Sequence, residues 1–156
     1  MNWNDAFFIK AIRLLEKRRF TAAFEWFHRG AQAGNPHCML NVGYLFDEGI
    51  GTATDKHSAL FWYKKAWQRH EVAAATNIAI LYKERKNYTT AVRWLEQAIA
   101  KSDEDAKLVL ARFYLQGLGV NKDGAKVKAL LTAVKNSSNA CEASVQEASY
   151  LLRQLQ

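Results

Sequence analysis

A Gly-x-Gly segment occurs twice in this 156-residue chain, each time directly after an apolar helical pattern. The first copy is Gly49-Ile50-Gly51, and the second, Gly117-Leu118-Gly119, lies 68 residues downstream. Intervals of 36, 32 and 36 residues separate the bulky apolar residues Trp26, Trp62, Trp94 and Leu130. The spacing of the two glycine segments agrees with that of the bulky residues, because 68 is the sum of one 32-residue and one 36-residue interval. Self-similarity at such a period is typical of helical repeat arrays.

The chain therefore divides into four helix-turn-helix repeats and a cap. We place the repeats at residues 4–34, 35–70, 71–102 and 103–135, and a capping helix within 140–156. Apolar residues at spacings of three and four predict two helices in each repeat. The single proline of the chain fits nearly continuous helix. We predict an all-α fold, organised as one domain over residues 1–156.

Local signals predict where several helices begin. Asp55 is placed to cap a helix over Lys56 to Gln68, and Thr21 to cap one that starts at Ala22. The sixth helix is expected to start at Thr90. The turns at Gly49 and Gly117 need glycine because the backbone must leave the preceding helix through positive φ.

Two further sets of residues are expected to be buried. Cys38 and Cys141 lie far apart at small-residue positions of predicted helices, which favours buried free thiols in a reducing compartment. The stripe formed by Trp26, Trp62 and Trp94 recurs with the repeat, and we interpret it as core between repeats. Both expectations concern side-chain packing and assign these residues no catalytic or binding role.

No catalytic or cofactor-binding arrangement emerges from the residue pattern. The Gly-x-Gly segment follows a helix and lacks the Lys-Ser/Thr of a phosphate loop. The four histidines have no metal-ligand spacing with the cysteines or with each other. Asp47 and Glu48 are adjacent on a helix, so their carboxylates diverge and do not flank one bond. We expect no metal, no cofactor and no enzyme; a divergent enzyme stays a third hypothesis.

The motif residues resemble those of the Sel-one-like repeat (SLR) family, in the tetratricopeptide-repeat superfamily. The match over residues 35–70 consists of Cys38, Val42-Gly43, Phe46, Gly49, Gly51, Asp55, Ala59, Trp62 and Lys65-Ala66. Residues 103–135 match as well, except that Leu130 stands where tryptophan is usual. Residues 71–102 look more like the short tetratricopeptide form, and residues 4–34 match only in the second helix.

The resemblance implies a right-handed α-solenoid of about four repeats whose inner face is lined by the first helix of each pair. Such folds usually bind proteins or peptides, and similar bacterial proteins serve as adaptors, regulators of host contact or immunity proteins. In register, Phe8, Ile12, Ile80 and Leu108 belong either to that face or to the core. The predicted partner-binding residues are Tyr44, Asp47, Glu48, Thr76, Lys83, Glu84, Arg112 and Gln116.

The leading hypothesis is a small standalone bacterial adaptor or immunity protein. It would be non-enzymatic, cytoplasmic and monomeric, and would bind one protein partner, such as a toxin or signalling protein, through the inner face. The net charge of +7 and the pI near 9.5 keep nucleic acid as the alternative ligand. It would bind along a basic edge formed by Lys17-Arg18-Arg19, Lys64-Lys65, Arg85-Lys86, Lys122, Lys126 and Lys128.

Overall fold

Helices account for all regular structure in the part of the chain that the computed structural model describes, residues 3–155. No strand occurs within these residues, so the all-α prediction is confirmed. The helices are α1 (Trp3–Glu16), α2 (Phe20–Gln32), α3 (Pro36–Glu48), α4 (Lys56–Gln68), α5 (Ala73–Glu84), α6 (Tyr88–Ala100), α7 (Glu104–Gln116), α8 (Gly124–Asn136) and α9 (Glu142–Gln154).

The chain forms two compact units that divide after Ala74, in the first turn of α5: the first unit contains α1–α4, and the second contains the rest of α5 and α6–α9. In the first unit each helix packs on the next one along the chain, and α1 also contacts α3. In the second unit α7 packs on α6 and α8, while α9 lies against both α8 and α7. Ala148 of α9 is buried in a cluster with Leu108, Ala111 and Leu131. The last helix therefore closes the core of the second unit, as a cap does.

In each second helix, the fully buried residue is the one directly after the position of the tryptophan stripe. Trp26, Trp62 and Trp94 are only half-buried, so the prediction that they form the core is wrong. Successive residues of a helix point about 100° apart, so the next position faces the interior instead. The indole rings cover the flank of that core; Trp26, for example, lies 6.0 Å from the ring of Phe7. The residues in the buried position are Phe27, Tyr63, Leu95 and Leu131.

The Gly-x-Gly turns have the expected left-handed backbone. Gly49 and Gly117 end α3 and α7 with φ of 69° and 74°, and Gly51 and Gly119 have positive φ as well. The second glycine of each turn also allows a close approach between backbones. A Cβ on Gly119 would lie 2.7 Å from the backbone of Tyr88, where α6 begins. Each turn thus packs against the start of the preceding second helix, which a larger residue would prevent.

Helix starts are partly as predicted. Asp55 caps α4 by accepting hydrogen bonds from the backbone N–H groups of His57 and Ser58 at 2.9 and 3.1 Å. Thr21 caps nothing, because α2 already begins at Phe20 and lacks a side-chain cap. The sixth helix begins at Tyr88, before the predicted Thr90.

The two cysteines differ in environment. Cys38 lies in the core of the first unit, and burial raises the pKa of its thiol to about 12. Cys141 is exposed at the residue before α9, so the prediction of a buried thiol is wrong there. The reason is the helix boundary: position 141 lies outside α9, on a turn in contact with water.

Candidate partner-binding surfaces

Tyr44 and Glu48 form an exposed pair on α3. The start of α3 is fixed by its N-cap: the Asn35 side chain accepts a hydrogen bond from the backbone N–H of Cys38 at 2.9 Å, and Pro36 occupies the first helical position. Residues four apart share one side of a helix, so Tyr44 and Glu48 are neighbours. The tyrosine is 48% exposed, and the glutamate is exposed too. The first unit therefore displays an aromatic ring beside a carboxylate.

Asp47, predicted as part of the same surface, points into the first unit instead. It is buried, and its carboxylate accepts hydrogen bonds from Lys56 Nζ at 2.5 Å and from the Tyr63 hydroxyl at 3.3 Å. Burial and the neighbouring Asp47 carboxylate raise the pKa of Tyr63 well above its usual range, so its hydroxyl stays a donor. Asp47 thereby links α3 to α4. Leu15 and Leu115 stand at the same register position, but so does the exposed Lys83, so the register does not tell which way the Asp47 side chain points.

Thr76 of the second unit has a comparable structural bond. Its hydroxyl donates to Asp103 Oδ2 at 2.9 Å, and the same carboxylate caps α7 through the backbone N–H of Ala106 at 3.2 Å. The half-buried threonine therefore connects α5 to the first turn of α7.

The other predicted residues of the second unit are exposed near the ends of α5 and α7: Lys83, Glu84, Arg112 and Gln116. Lys83 Nζ lies 6.0 Å from the ring centroid of Phe113, within range of a cation–π contact. Arg112 forms an ion pair with Glu147 of the capping helix. The cap thus partly neutralises the arginine that was predicted to meet a partner.

Of the four residues left open between inner face and core, Leu108 is core. Phe8 and Ile12 are half-buried, and Ile80 is 37% exposed. Ile80 therefore adds an apolar side chain to the exposed side of α5.

Sequence reasoning missed one concave feature of the first unit. A cleft of about 380 Å³ lies where α2, α3 and α4 meet, and its wall includes the exposed side chain of Phe61 together with Lys65 and Arg69. We call it the Phe61 cleft. The signal that could have found it is an acid-free stretch between Asp55 and Glu71.

The part of the chain seen in the structure offers no sign of a metal centre or a membrane span. Among residues 3–155, no group of three or more His, Cys, Asp and Glu side chains is arranged to hold an ion. None of the helices described is both long and apolar enough to cross a bilayer.

Helix pairs with the same buried positions, two of them joined by the same glycine turn, define an α-solenoid protein built from helical repeats. The model of the Sel1 repeat, the Sel-one-like repeat, matches residues 20–35, 36–67, 73–103 and 105–130. The chain belongs to the Sel1 repeat family. The first match starts at residue 20, in agreement with the prediction that the first repeat conforms only in its second helix.

Similar proteins come from a yeast and from bacteria. The chain is 28% identical over 105 residues to the ERAD-associated E3 ubiquitin-protein ligase component HRD3 of Candida glabrata, a match that covers 67% of this chain and 13% of that protein. It is 32% identical over 98 residues to an uncharacterized protein of Neisseria meningitidis serogroup B, which covers 63% of this chain and 21% of the relative. The chain thus spans only a small part of these curated relatives.

Two solved structures have the same fold. A Sel1 repeat protein from Oxalobacter formigenes aligns with a TM-score of 0.69 and 25% identity, covering 86% of this chain and 54% of that one. A protective antigen of uropathogenic Escherichia coli strains, which displays an SLR fold, aligns with a TM-score of 0.64 and 21% identity over 85% of this chain and 40% of the antigen. Sel1 repeat proteins are generally scaffolds for protein–protein interaction and are typically non-enzymatic.

Proposed function

We propose that this chain is a non-enzymatic scaffold that binds a protein partner through exposed residues on the first helices of its repeats. The observation that carries the proposal is the pair of Tyr44 and Glu48 on α3. A tyrosine that is 48% exposed offers a large, rigid contact surface. It loses little conformational entropy on binding, because only two side-chain torsions are fixed.

The two members of the pair would contribute differently to binding. Truncating a central aromatic residue of an interface commonly costs about 2 kcal/mol or more of binding free energy. An exposed carboxylate such as Glu48 contributes mainly to association rate and to the choice of partner. A basic segment of the partner would complement it.

In the second unit the proposed contacts are Lys83, Glu84, Arg112 and Gln116. Their exposure supports this assignment. Arg112 is held by Glu147, so a partner that engages it replaces or shares that ion pair. Asp47 and Thr76 leave the set of direct contacts, since their polar groups bond to Lys56, Tyr63 and Asp103. Asp47 would act on binding only through the position of α3.

Within this class we favour a small bacterial adaptor or an immunity protein that neutralises a toxin. The chain would act in the cytoplasm as a monomeric single domain over residues 1–156. The bacterial origin of two of the similar proteins supports a bacterial source.

Site-specific photo-crosslinking would test the surface. A benzoylphenylalanine at position 44, irradiated in nuclease-treated bacterial lysate, should give one discrete protein adduct. The matched control carries the same group in place of Tyr150, a tyrosine of α9 with a similar exposure of 54%. Equal adducts at both positions, or none at position 44, would overturn the assignment.

A further inference from the structure

The Phe61 cleft has a lining of both apolar and polar side chains and two cations at its rim. Its volume is about 380 Å³, and its floor includes Met39, which is almost fully buried. Trp62 forms part of the wall and stands edge-on to Phe61, with the ring centroids 5.3 Å apart. The indole also contacts His28 at 5.5 Å, so the wall is held in place from both sides.

Phe61 is 53% exposed although it lies beside a cavity, and Phe20, at 39%, is the other exposed phenylalanine that borders one. Single exposed apolar residues are common on protein surfaces and need no explanation. Here, however, the exposed ring borders a concave space with room for a guest side chain. A guest side chain in the cleft would cover the ring and gain free energy from the area removed from water.

The rim carries positive charge that acidic side chains of this protein do not balance. Lys65 Nζ lies 5.6 Å from the Phe61 ring centroid, and the guanidinium of Arg69 reaches toward Gly34. Among the described residues neither cation forms an ion pair. Between Asp55 and Glu71 the sequence has no acid at all, and Glu71 is already bonded to His37 Nδ1 at 2.6 Å. Lys65 and Arg69 are therefore available to bind carboxylates of another molecule.

We propose that the Phe61 cleft binds an acidic peptide segment of a partner protein, with one aromatic or branched apolar side chain inserted beside Phe61. Carboxylates that flank this side chain would meet Lys65 and Arg69. Charge complementarity selects the acidic segment, and the exposed Phe61 ring favours the apolar side chain. Neither Tyr44 nor Glu48 lines the cleft, so it is a second docking surface, separate from the one proposed on α3.

Single-stranded nucleic acid is the less suitable occupant. Such ligands need a groove in which successive bases stack on a series of aromatic faces. Among the described residues that line the cleft, Phe61 is instead the only exposed aromatic ring.

The test is an amide NMR titration of the full chain with a short peptide of alternating glutamate and serine around a central phenylalanine. We expect shifts of the backbone amides around Phe61, Lys65 and Arg69. A control peptide with glutamine in place of glutamate should bind about tenfold more weakly. Shifts elsewhere, or none in this region, would overturn the proposal.

Variants give an independent measure on the same peptide. Lys65→Glu combined with Arg69→Glu should lower the affinity by about tenfold or more, and Phe61→Ser should do the same. All three side chains are exposed, so these variants are expected to fold. The matched control, Lys64→Glu with Lys128→Glu, changes the net charge equally at exposed positions outside the cleft and should leave the affinity within about twofold.

Three outcomes would contradict the proposal. The first is an equal loss in the control variant, which would indicate a general field effect. The second is displacement of the peptide by oligodeoxythymidine with a steep salt dependence, which would indicate nucleic acid. The third is equal loss of peptide binding on Tyr44→Ala, which would place the peptide on α3 instead.

Discussion

Gly43→Ala should destabilise the first unit, although alanine is the better helix former. A Cβ at position 43 would lie 2.6 Å from Cδ1 and 2.7 Å from Cε1 of Tyr63, well inside normal contact distance. The tyrosine ring is fully buried, and its hydroxyl is bonded to Asp47. Because the ring cannot move outward without losing that bond, α3 must shift away from α4.

The expected magnitude follows from two opposing terms. Overpacking a core by one methyl group typically costs about 1–3 kcal/mol. The higher helix propensity of alanine offsets roughly 1 kcal/mol of this. We therefore expect a net loss of about 1 kcal/mol in the free energy of unfolding.

The register shows how other repeats avoid the clash. In place of Gly43 and Tyr63 the third repeat has Ala79 and Leu95, and the fourth has Ala111 and Leu131, all buried. In these two repeats a larger residue on the first helix thus accompanies a smaller one on the second, whereas the first repeat combines Ala11 with Phe27. Gly43→Ala with Tyr63→Leu should therefore be about 1 kcal/mol or more better than the sum of the single changes.

Urea unfolding followed by circular dichroism would measure all four members of this cycle. Gly124→Ala is the control, because nothing lies within 4 Å of a Cβ at that position; it should be neutral or slightly stabilising. If Gly43→Ala were as stable as the native chain, or if the two changes were additive, the steric argument would be refuted.

Three further predictions concern the thiols, one helix cap and one turn. A thiol reagent should modify Cys141 quickly and Cys38 only after denaturation, because burial keeps the latter protonated; equal rates would contradict the buried assignment. The Ser58 side-chain and backbone hydrogen bonds lower the pKa of Asp55 in the folded chain. The ionised Asp55 therefore stabilises the fold fully above its pKa in the unfolded chain, about 4. This stabilisation is lost as the pH falls through the lower pKa of the folded chain. Asp55→Ala should thus destabilise at pH 7, and the difference from the native chain should narrow in acid; a difference independent of pH would be inconsistent with this. Ser102, with φ of 66°, stands in register with Gly34, so Ser102→Gly should raise stability by about 0.5 kcal/mol in thermal unfolding, and a loss would show that the strain is absent.

The repeat architecture could be predicted from sequence because its signals are local and occur more than once. The glycine turns recur with the tryptophan intervals, and Asp55 caps the helix it was assigned to. Cap chemistry was less reliable where no strong signal exists, as at Thr21, since main-chain bonds alone can start a helix two residues earlier. The bond from the Ala23 N–H to the Arg19 carbonyl shows this start.

The candidate surface was less predictable because polarity alone does not tell which way a side chain points. Asp47 and Glu48 are adjacent acids, yet the first is buried against Lys56 and Tyr63 while the second is exposed. Similarly, Thr76 is bonded across to Asp103, a pairing between two repeats that helix periodicity does not reveal. The Phe61 cleft depends on three helices meeting in space, so the acid-free stretch between Asp55 and Glu71 indicates its cationic rim but not its shape.

The most direct test of the central claim is the affinity of the crosslinked partner for two variants, measured by isothermal titration calorimetry. Tyr44→Ala removes the proposed anchor, whereas Tyr150→Ala removes a similarly exposed tyrosine outside the proposed surface. We predict that Tyr44→Ala weakens binding by about 30-fold or more, equivalent to about 2 kcal/mol, and that Tyr150→Ala leaves it unchanged. Native affinity in Tyr44→Ala would contradict the assignment of this surface.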